Sequence, residues 1–229
     1  MDKRKNYYIG LDTETANGLT DENGKSDLSQ SLVYDIGWAV TDKQGNIYET
    51  RSYVVADIYI DHRDLMNTCY YAEKLPQYEA DLKNGARKLA RLSTIRKQLR
   101  ADMEKYGVTA IFAHNASFDY RALNNTMRYV TKSAQRYFFP YGTEIWDTLK
   151  MSKVITSQKT YTAFCDANGY KTKHRVPRNR ATAEILYRYI SGNNDFIESH
   201  TALEDVIIET AIFAHCLKQH KKIEKKLFP

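Results

Sequence analysis

Residues 7–15 read Tyr7-Tyr8-Ile9-Gly10-Leu11-Asp12-Thr13-Glu14-Thr15. A short apolar run with polar ends is the pattern of a buried strand, and this one finishes on two acids. Side chains at i and i+2 of a strand point the same way, roughly 7 Å apart. Asp12 and Glu14 therefore share a face. Gly10 lies on that face too and leaves room beside Asp12. Two carboxylates so placed repel each other unless a cation lies between them. Alone, the pair reads first as a solvated strand end with two harmless acids, so its meaning depends on the rest of the chain.

Working outward, residues 32–41 (LVYDIGWAVT) form a second strand pattern. Asp42-Lys43-Gln44-Gly45 is a turn and residues 46–55 a third strand, so the first three strands make an antiparallel meander. Residues 87–106 read as a helix with Leu92, Ile95, Leu99, Met103 and Tyr106 on one stripe, stopped by Gly107. A buried strand over 108–113, a helix over 120–129 and a strand over 144–148 follow. Helices over 161–168, 181–190 and 202–217 complete the pattern. This order predicts an α/β fold: a mixed five-stranded sheet, three strands antiparallel and the others parallel, with helices on its faces. Segments 56–86 and 130–142 carry no clear period.

Length and composition set the outer bounds. A chain of 229 residues is expected to form one domain over 1–229, with a lysine-rich tail at 218–229. The chain has 34 Lys and Arg against 28 Asp and Glu, a net charge of +6, which favours an anionic partner. Cys69, Cys165 and Cys216 form no CxxC pair, so neither a zinc site nor a disulfide framework is suggested. No apolar stretch approaches the ~18 residues of a membrane span. The expectation is a cytoplasmic protein with no membrane partner.

Two further motifs carry acids. His114-Asn115-Ala116-Ser117-Phe118-Asp119 follows the strand at 108–113. Asn115 or Ser117 can cap the next helix, placing Asp119 in its first turn, where an acid also suits the helix dipole. Ser199-His200-Thr201-Ala202-Leu203-Glu204-Asp205 opens the last helix. Thr201 and Glu204 fit a capping box, His200 falls in the loop before it, and Asp205 in the first turn. That helix is apolar nearly all round and so is expected to be buried. A buried Asp205 needs a partner, either a metal or a basic side chain.

Together, in this order, Asp12, Glu14, Asp119, His200 and Asp205 resemble the three exonuclease motifs of the DnaQ-like family of the ribonuclease H-like superfamily. The histidine five residues before the last aspartate marks the DEDDh subgroup. The strand with Gly37 and the segment Trp146-Asp147-Thr148-Leu149 resemble secondary signatures of the same family, and the likeness spans residues 7–217.

The resemblance implies a ribonuclease H-like sheet and two divalent cations, Mg²⁺ or Mn²⁺, held by Asp12, Glu14, Asp119 and Asp205. All-oxygen ligands suit those ions rather than zinc. It implies His200 as general base and a 3′-to-5′ exonuclease that releases nucleoside monophosphates. It places Thr13, Thr15, Ala16, Asn115 and Phe118 at the substrate, although Phe118 reads equally as a core aromatic. The implied partner is a single-stranded nucleic acid 3′ end, DNA ahead of RNA, and a DNA polymerase is a further candidate. A bacterial or phage source fits a small nuclease of this kind. One departure is evident. The segment Asp61-His62-Arg63-Asp64-Leu65-Met66 does not align with the histidine-glycine segment many relatives carry there.

The basic excess is concentrated. Residues 120–143 hold Arg121, Arg128, Lys132 and Arg136 among Tyr129, Tyr137, Phe138, Phe139 and Tyr141, with no acid. Residues 170–180 (YKTKHRVPRNR) hold five Lys and Arg and no acid. Basic residues interleaved with aromatics suit a single strand, whose phosphates meet charge and whose bases meet rings. A solvated face over core aromatics is the plainer alternative, and the lysines at 218–226 read as a solvated helix tail. Two other functions are open: a non-catalytic nucleic-acid or polymerase-binding module on the same fold, and an RNA-specific exoribonuclease. The first predicts loss of a metal carboxylate, and none is lost.

Overall fold

A computed structural model describes residues 4–16, 19–20, 26–27, 29–69 and 71–228. The meander is β1 (Tyr7–Ala16), β2 (Leu32–Asp42) and β3 (Ile47–Val55). After it come β4 (Lys88–Ala90), β5 (Ala110–Ala113) and β6 (Glu144–Asp147). They form one mixed sheet in the order β4-β3-β2-β1-β5-β6. β1, β2 and β3 pair antiparallel, while β4 joins β3, and β5 joins β1 and β6, in parallel. A two-residue ladder, Leu19–Thr20 with Ser26–Asp27, lies outside this sheet.

The sheet separates two apolar layers, and the period of 2 in its strands assigns the residues. In β5, Ile111 and Ala113 join a core with α2 (Leu92–Tyr106) and α3 (Ser117–Thr131). Ala110 and Phe112 face the other way. They pack with α4 (Lys159–Asn168), α5 (Ala183–Ser191) and α6 (Ala202–Lys218). β2 is buried along its whole length because it is central and covered on both faces. All three cysteines are free and buried. Among the described residues no helix is long and apolar enough to cross a membrane.

Three expectations are corrected. The sheet has six strands, because Lys88–Ala90 pairs with Tyr53, Val54 and Val55 as an edge strand. Consequently the helix expected from residue 87 starts at Leu92, where Asp57 Oδ2 accepts the Leu92 N–H at 2.6 Å. Three residues are too few to show a strand period against the strong helical stripe that follows them. The unassigned segment 56–86 holds short helices of one or two turns and α1 (Leu75–Asn84). The lysine-rich tail is not helical. α6 stops at Lys218, and the chain runs back along the edge of β6, where Lys225 O accepts from Asp147 N at 2.7 Å and Leu227 N donates to Ile145 O at 2.8 Å. The open edge of β6 claims those backbone groups.

Candidate active site

The acid-bearing face of β1 is built to receive a helix. In the antiparallel ladder Gly10 lies opposite Ala39, Asp12 opposite Gly37 and Glu14 opposite Asp35. Opposed residues share a face, so one stripe carries the small residues Gly10, Ala39 and Gly37 beside the acids Asp12, Glu14 and Asp35. The start of α6 rests on this stripe. A Cβ on Gly37 would stand 2.6 Å from Leu203 Cα and 2.7 Å from the Ala202 carbonyl carbon. One on Gly10 would meet the Phe112 ring at 2.7 Å and Thr210 Oγ1 at 3.3 Å. The backbone contact at Gly37 requires glycine and brings α6 down onto the sheet beside Asp12 and Glu14, while Gly10 makes room for the Phe112 ring of β5 and for Thr210 of α6.

Charge then fixes the helix in register. Asp35 Oδ2 accepts the Ala202 N–H at 3.1 Å and the Tyr78 hydroxyl at 2.7 Å. Arg87, itself buried, pairs with Asp35 at 3.2 Å, with Asp81 at 3.0 Å and with Glu204 at 3.1 Å. The capping box expected at Thr201 and Glu204 does not form as backbone caps. Thr201 is the N-cap residue, but its hydroxyl bonds the Glu204 carboxylate. Asp35, distant in sequence, takes the helix N–H instead. Neither Asn115 nor Ser117 caps α3 through its side chain, since Ala116 is the N-cap.

The outcome is a carboxylate cluster at the end of β1. One oxygen each from Asp12, Glu14 and Asp205 lies within 4.8 Å of the others. Asp119, from the first turn of α3, accepts the Thr13 hydroxyl at 2.8 Å. Among the neighbouring charges it acts most strongly on Asp12. Burial is the main cause of a raised pKa at every member, and mutual repulsion adds to most of them. Glu14 is pushed up to about 9, with Asp205 and Asp35 the next causes. Asp205 is pushed up to about 8, with Glu198 adding to it and the His200 backbone and Ser199 hydroxyl opposing. Asp119 rises to about 7 against the stabilising Thr13 bonds. Asp12 lies well above the usual carboxylate range.

Sequence reading missed one acid. Glu209 lies one turn after Asp205 on α6, 3% exposed. Its Oε1 accepts the His114 N–H at 3.2 Å, and its Oε2 is buried with no hydrogen-bond partner. Burial, then Asp119 and Asp205, raises its pKa far above normal. The i to i+4 spacing from Asp205 was the available signal, hidden by the apolar residues around it.

His200 stands at the rim. Its backbone is left-handed (φ 55°) and its ring stacks on Tyr71, centroids 4.2 Å apart and 10° from parallel. The ring faces Glu184 and Glu198, with Nδ1 3.9 Å from Glu198 Oε2. Burial lowers its pKa, Lys74 adding to this and Glu184 opposing.

The turn after β5 is braced from several sides. His114 Nδ1 meets Thr148 Oγ1 at 3.0 Å and its Nε2 meets Ala181 O at 2.8 Å, while Asp147 Oδ1 accepts the Asn115 N–H at 3.1 Å. Thus Trp146-Asp147-Thr148-Leu149 supports the cluster without joining it. A cleft of about 570 Å³ opens here, lined by Asp12, Asn115, Glu198 and Glu209 and also by Thr172, Asn179 and Arg180. The basic loop therefore borders the acids. Thr15 and Ala16 are buried and paired with Val33 and Leu32. Phe118 is half-buried in the first turn of α3. His62 packs against Tyr129, and Met66 belongs to the core.

No family model matches the sequence, and no curated protein matches it. Solved structures do. The nuclease domain of 3'hExo, a DEDDh family member, bound to rAMP, superposes with TM-score 0.60 at 15% identity, covering 99% of this chain and 100% of that one. E. coli Exonuclease I in complex with a 5cy-dA13 oligonucleotide superposes with TM-score 0.51 at 14% identity, covering 95% of this chain and 41% of that one. At such identities the likeness is one of fold: this chain has the fold seen in the 3'hExo nuclease domain.

Proposed function

We propose that this protein is a divalent-cation-dependent 3′-to-5′ exonuclease. It hydrolyses the terminal phosphodiester of a single-stranded nucleic acid, DNA ahead of RNA, and releases nucleoside monophosphates. One observation carries the reading: Asp12, Glu14, Asp119 and Asp205, from β1, α3 and α6, meet at one end of the sheet. The nucleotide bound by 3'hExo and the oligonucleotide bound by Exonuclease I, on the same fold, support a nucleic-acid substrate.

The residues fit a pair of dications. Buried oxygen ligands that repel one another are what Mg²⁺ and Mn²⁺ take, and Glu209 adds an oxygen with no other partner. Asp12, Glu14 and Asp205 would hold the ions, with Asp119 completing the set. The ions would supply charge stabilisation for the phosphoryl oxygens and a more acidic attacking water.

The remaining chemistry belongs to the chain. A water proton needs an acceptor, and His200, whose pKa is lowered by its burial, offers a ring nitrogen. Its loop position before α6 lets the ring leave Tyr71 and turn toward the cluster. Thr15 and Ala16, being buried, would meet a terminal nucleotide through backbone groups, with Thr13 holding Asp119. Asn115 and Phe118 would flank the nucleotide, and the loop at 171–180 would meet its phosphates from across the cleft.

The test digests 5′-labelled single-stranded DNA, duplex DNA and RNA with and without Mg²⁺ or Mn²⁺. A ladder that shortens from the 3′ end only with metal is expected. Absence of cleavage with every substrate and metal would refute the reading, and would favour a binding module on the same fold.

A further inference from the structure

Besides the carboxylate cluster, two clefts joined by shared wall residues lie along α3. The first, about 580 Å³, is lined by Arg96, Lys97 and Arg100 of α2, by the C-terminal turn of α3 and by Arg136. The second, about 380 Å³, is aromatic, with Tyr120 and Phe228 among its walls. Tyr137, Phe139 and Tyr141 belong to both.

Charge in the first cleft is unbalanced. Its one lining acid, Asp57, is taken by Arg91 and by the Leu92 N–H. Among the described residues none of Arg96, Lys97, Arg100 and Arg136 forms an ion pair. Arg96 donates through Nε to Phe138 O at 2.6 Å, which orients its guanidinium but leaves its charge unanswered. Burial and then the like charges of Arg100 and Arg136 lower its pKa. Cations gathered in a concavity without a counter-charge mark a place for an external anion.

The rings are arranged to hold bases. Tyr141 is fully exposed and Tyr137 is half exposed, backed by the Arg128 guanidinium 5.0 Å from its centroid. Tyr120 stacks parallel on Phe139, 5.7 Å between centroids. Tyr120 follows Asp119 in sequence, so the aromatic cleft begins at the helix end that bears the cluster. Thr131, at the basic end, lies twelve residues from Asp119, about 18 Å at 1.5 Å per residue.

We propose that the joined clefts are an exosite for the single strand on the 5′ side of the cleaved end, its phosphates on Arg96, Arg100 and Arg136 and its bases on Tyr137 and Tyr141. A basic groove with aromatic platforms is how single strands are held without sequence preference. The inference rests on the exonuclease reading. It adds a length requirement: a short oligonucleotide reaches the carboxylates alone, and a longer one spans both sites.

The test measures anisotropy of a labelled tetranucleotide and of an oligonucleotide of about twenty residues, in EDTA so that nothing is cleaved, for wild type, R100E/R136E and Y141A. Hydrolysis of both lengths is followed separately with metal. The charge-reversed variant should bind the longer strand at least tenfold more weakly. The slope of log affinity against log salt should fall by about 1.4, the value for two lost phosphate contacts on a single strand. Y141A, which disturbs only an exposed ring, should weaken the longer strand by about fivefold or more. Tetranucleotide hydrolysis and Tm should not change. Unchanged affinity and salt slope for the longer strand would overturn the proposal, as they would if the cleft takes an acidic protein instead. So would equal losses on both lengths in a folded variant. A wild type that binds by length but cleaves neither substrate refutes the nuclease reading and leaves the exosite standing.

Discussion

The backbone N–H of Ala202 donates to Asp35 Oδ2 at 3.1 Å, joining the first residue of α6 to the middle of the sheet. That bond sets how far down the strand the helix sits, and so where Asp205 stands against Asp12 and Glu14. Asp35→Ala would remove it and leave the buried Arg87 without its main partner. Breaking a buried pair from one side costs about 3–5 kcal/mol. Urea unfolding should show a loss of that size, and a loss under about 1 kcal/mol would mean that the network does not anchor the helix.

Gly37 is the steric counterpart of Asp35. A methyl group there would press on backbone atoms of Ala202 and Leu203, which cannot rotate away. Gly37→Ala should cost about 1–3 kcal/mol by overpacking. It should also weaken Mn²⁺ binding, measured by calorimetry, because Asp205 moves with the helix. A variant with native stability and native Mn²⁺ affinity would contradict this account.

Glu209 tests whether the cluster has a fifth working carboxylate. Glu209→Gln keeps the shape and the bond to the His114 N–H but cannot ionise. In EDTA at alkaline pH, where the acids lose their protons, the variant should melt higher than wild type, since repulsion with Asp119 and Asp205 is relieved. Mn²⁺ affinity should fall by roughly 10- to 100-fold. Unaltered affinity would leave Glu209 as a buried, protonated acid with no share in cation binding.

The cluster makes stability depend on pH in a defined direction. Asp119, Asp205 and Glu14 hold their protons to about 7, 8 and 9 in the folded chain. In the unfolded chain carboxyls titrate near ~4. The folded state therefore binds more protons across that window, and its stability is lost as pH rises through it. In EDTA, Tm should fall between about pH 6 and about pH 9. Mg²⁺ or Mn²⁺, which replace the protons, should raise Tm more at the alkaline end. A cation-free Tm that climbs over this range would disprove the assignment.

Two substitutions separate cation holding from proton transfer. Asp205→Ala should abolish cleavage and reduce Mn²⁺ binding while the fold persists, judged by circular dichroism. His200→Ala should leave Mn²⁺ binding intact and slow turnover by roughly 10²- to 10⁴-fold, the usual worth of a general base. Native turnover in His200→Ala would remove it from the proton path.

Much of the fold and most of the site were legible in residue order, for local reasons. Strand period and glycine stops gave the meander, β5, β6, α2 and α6, because burial on one or two faces leaves a repeat. The strand end at Asp12 and Glu14, and the helix starts near Asp119 and Asp205, put the acids at element ends, where they can converge. What residue order could not show was which groups distant in sequence would complete each element. Lys88–Ala90 became a strand because β3 had an open edge, and the tail left its helical course because β6 had one too. Asp35 rather than Thr201 or Glu204 took the helix N–H, since a buried carboxylate beside Arg87 outcompetes a local cap. Glu209 joined the acids only once Gly10 and Gly37 let α6 lie against β1. The sequence by itself determined which acids and which strand ends exist. The tertiary structure decided their number at one point in space, because close packing and buried charge depend on partners far along the chain.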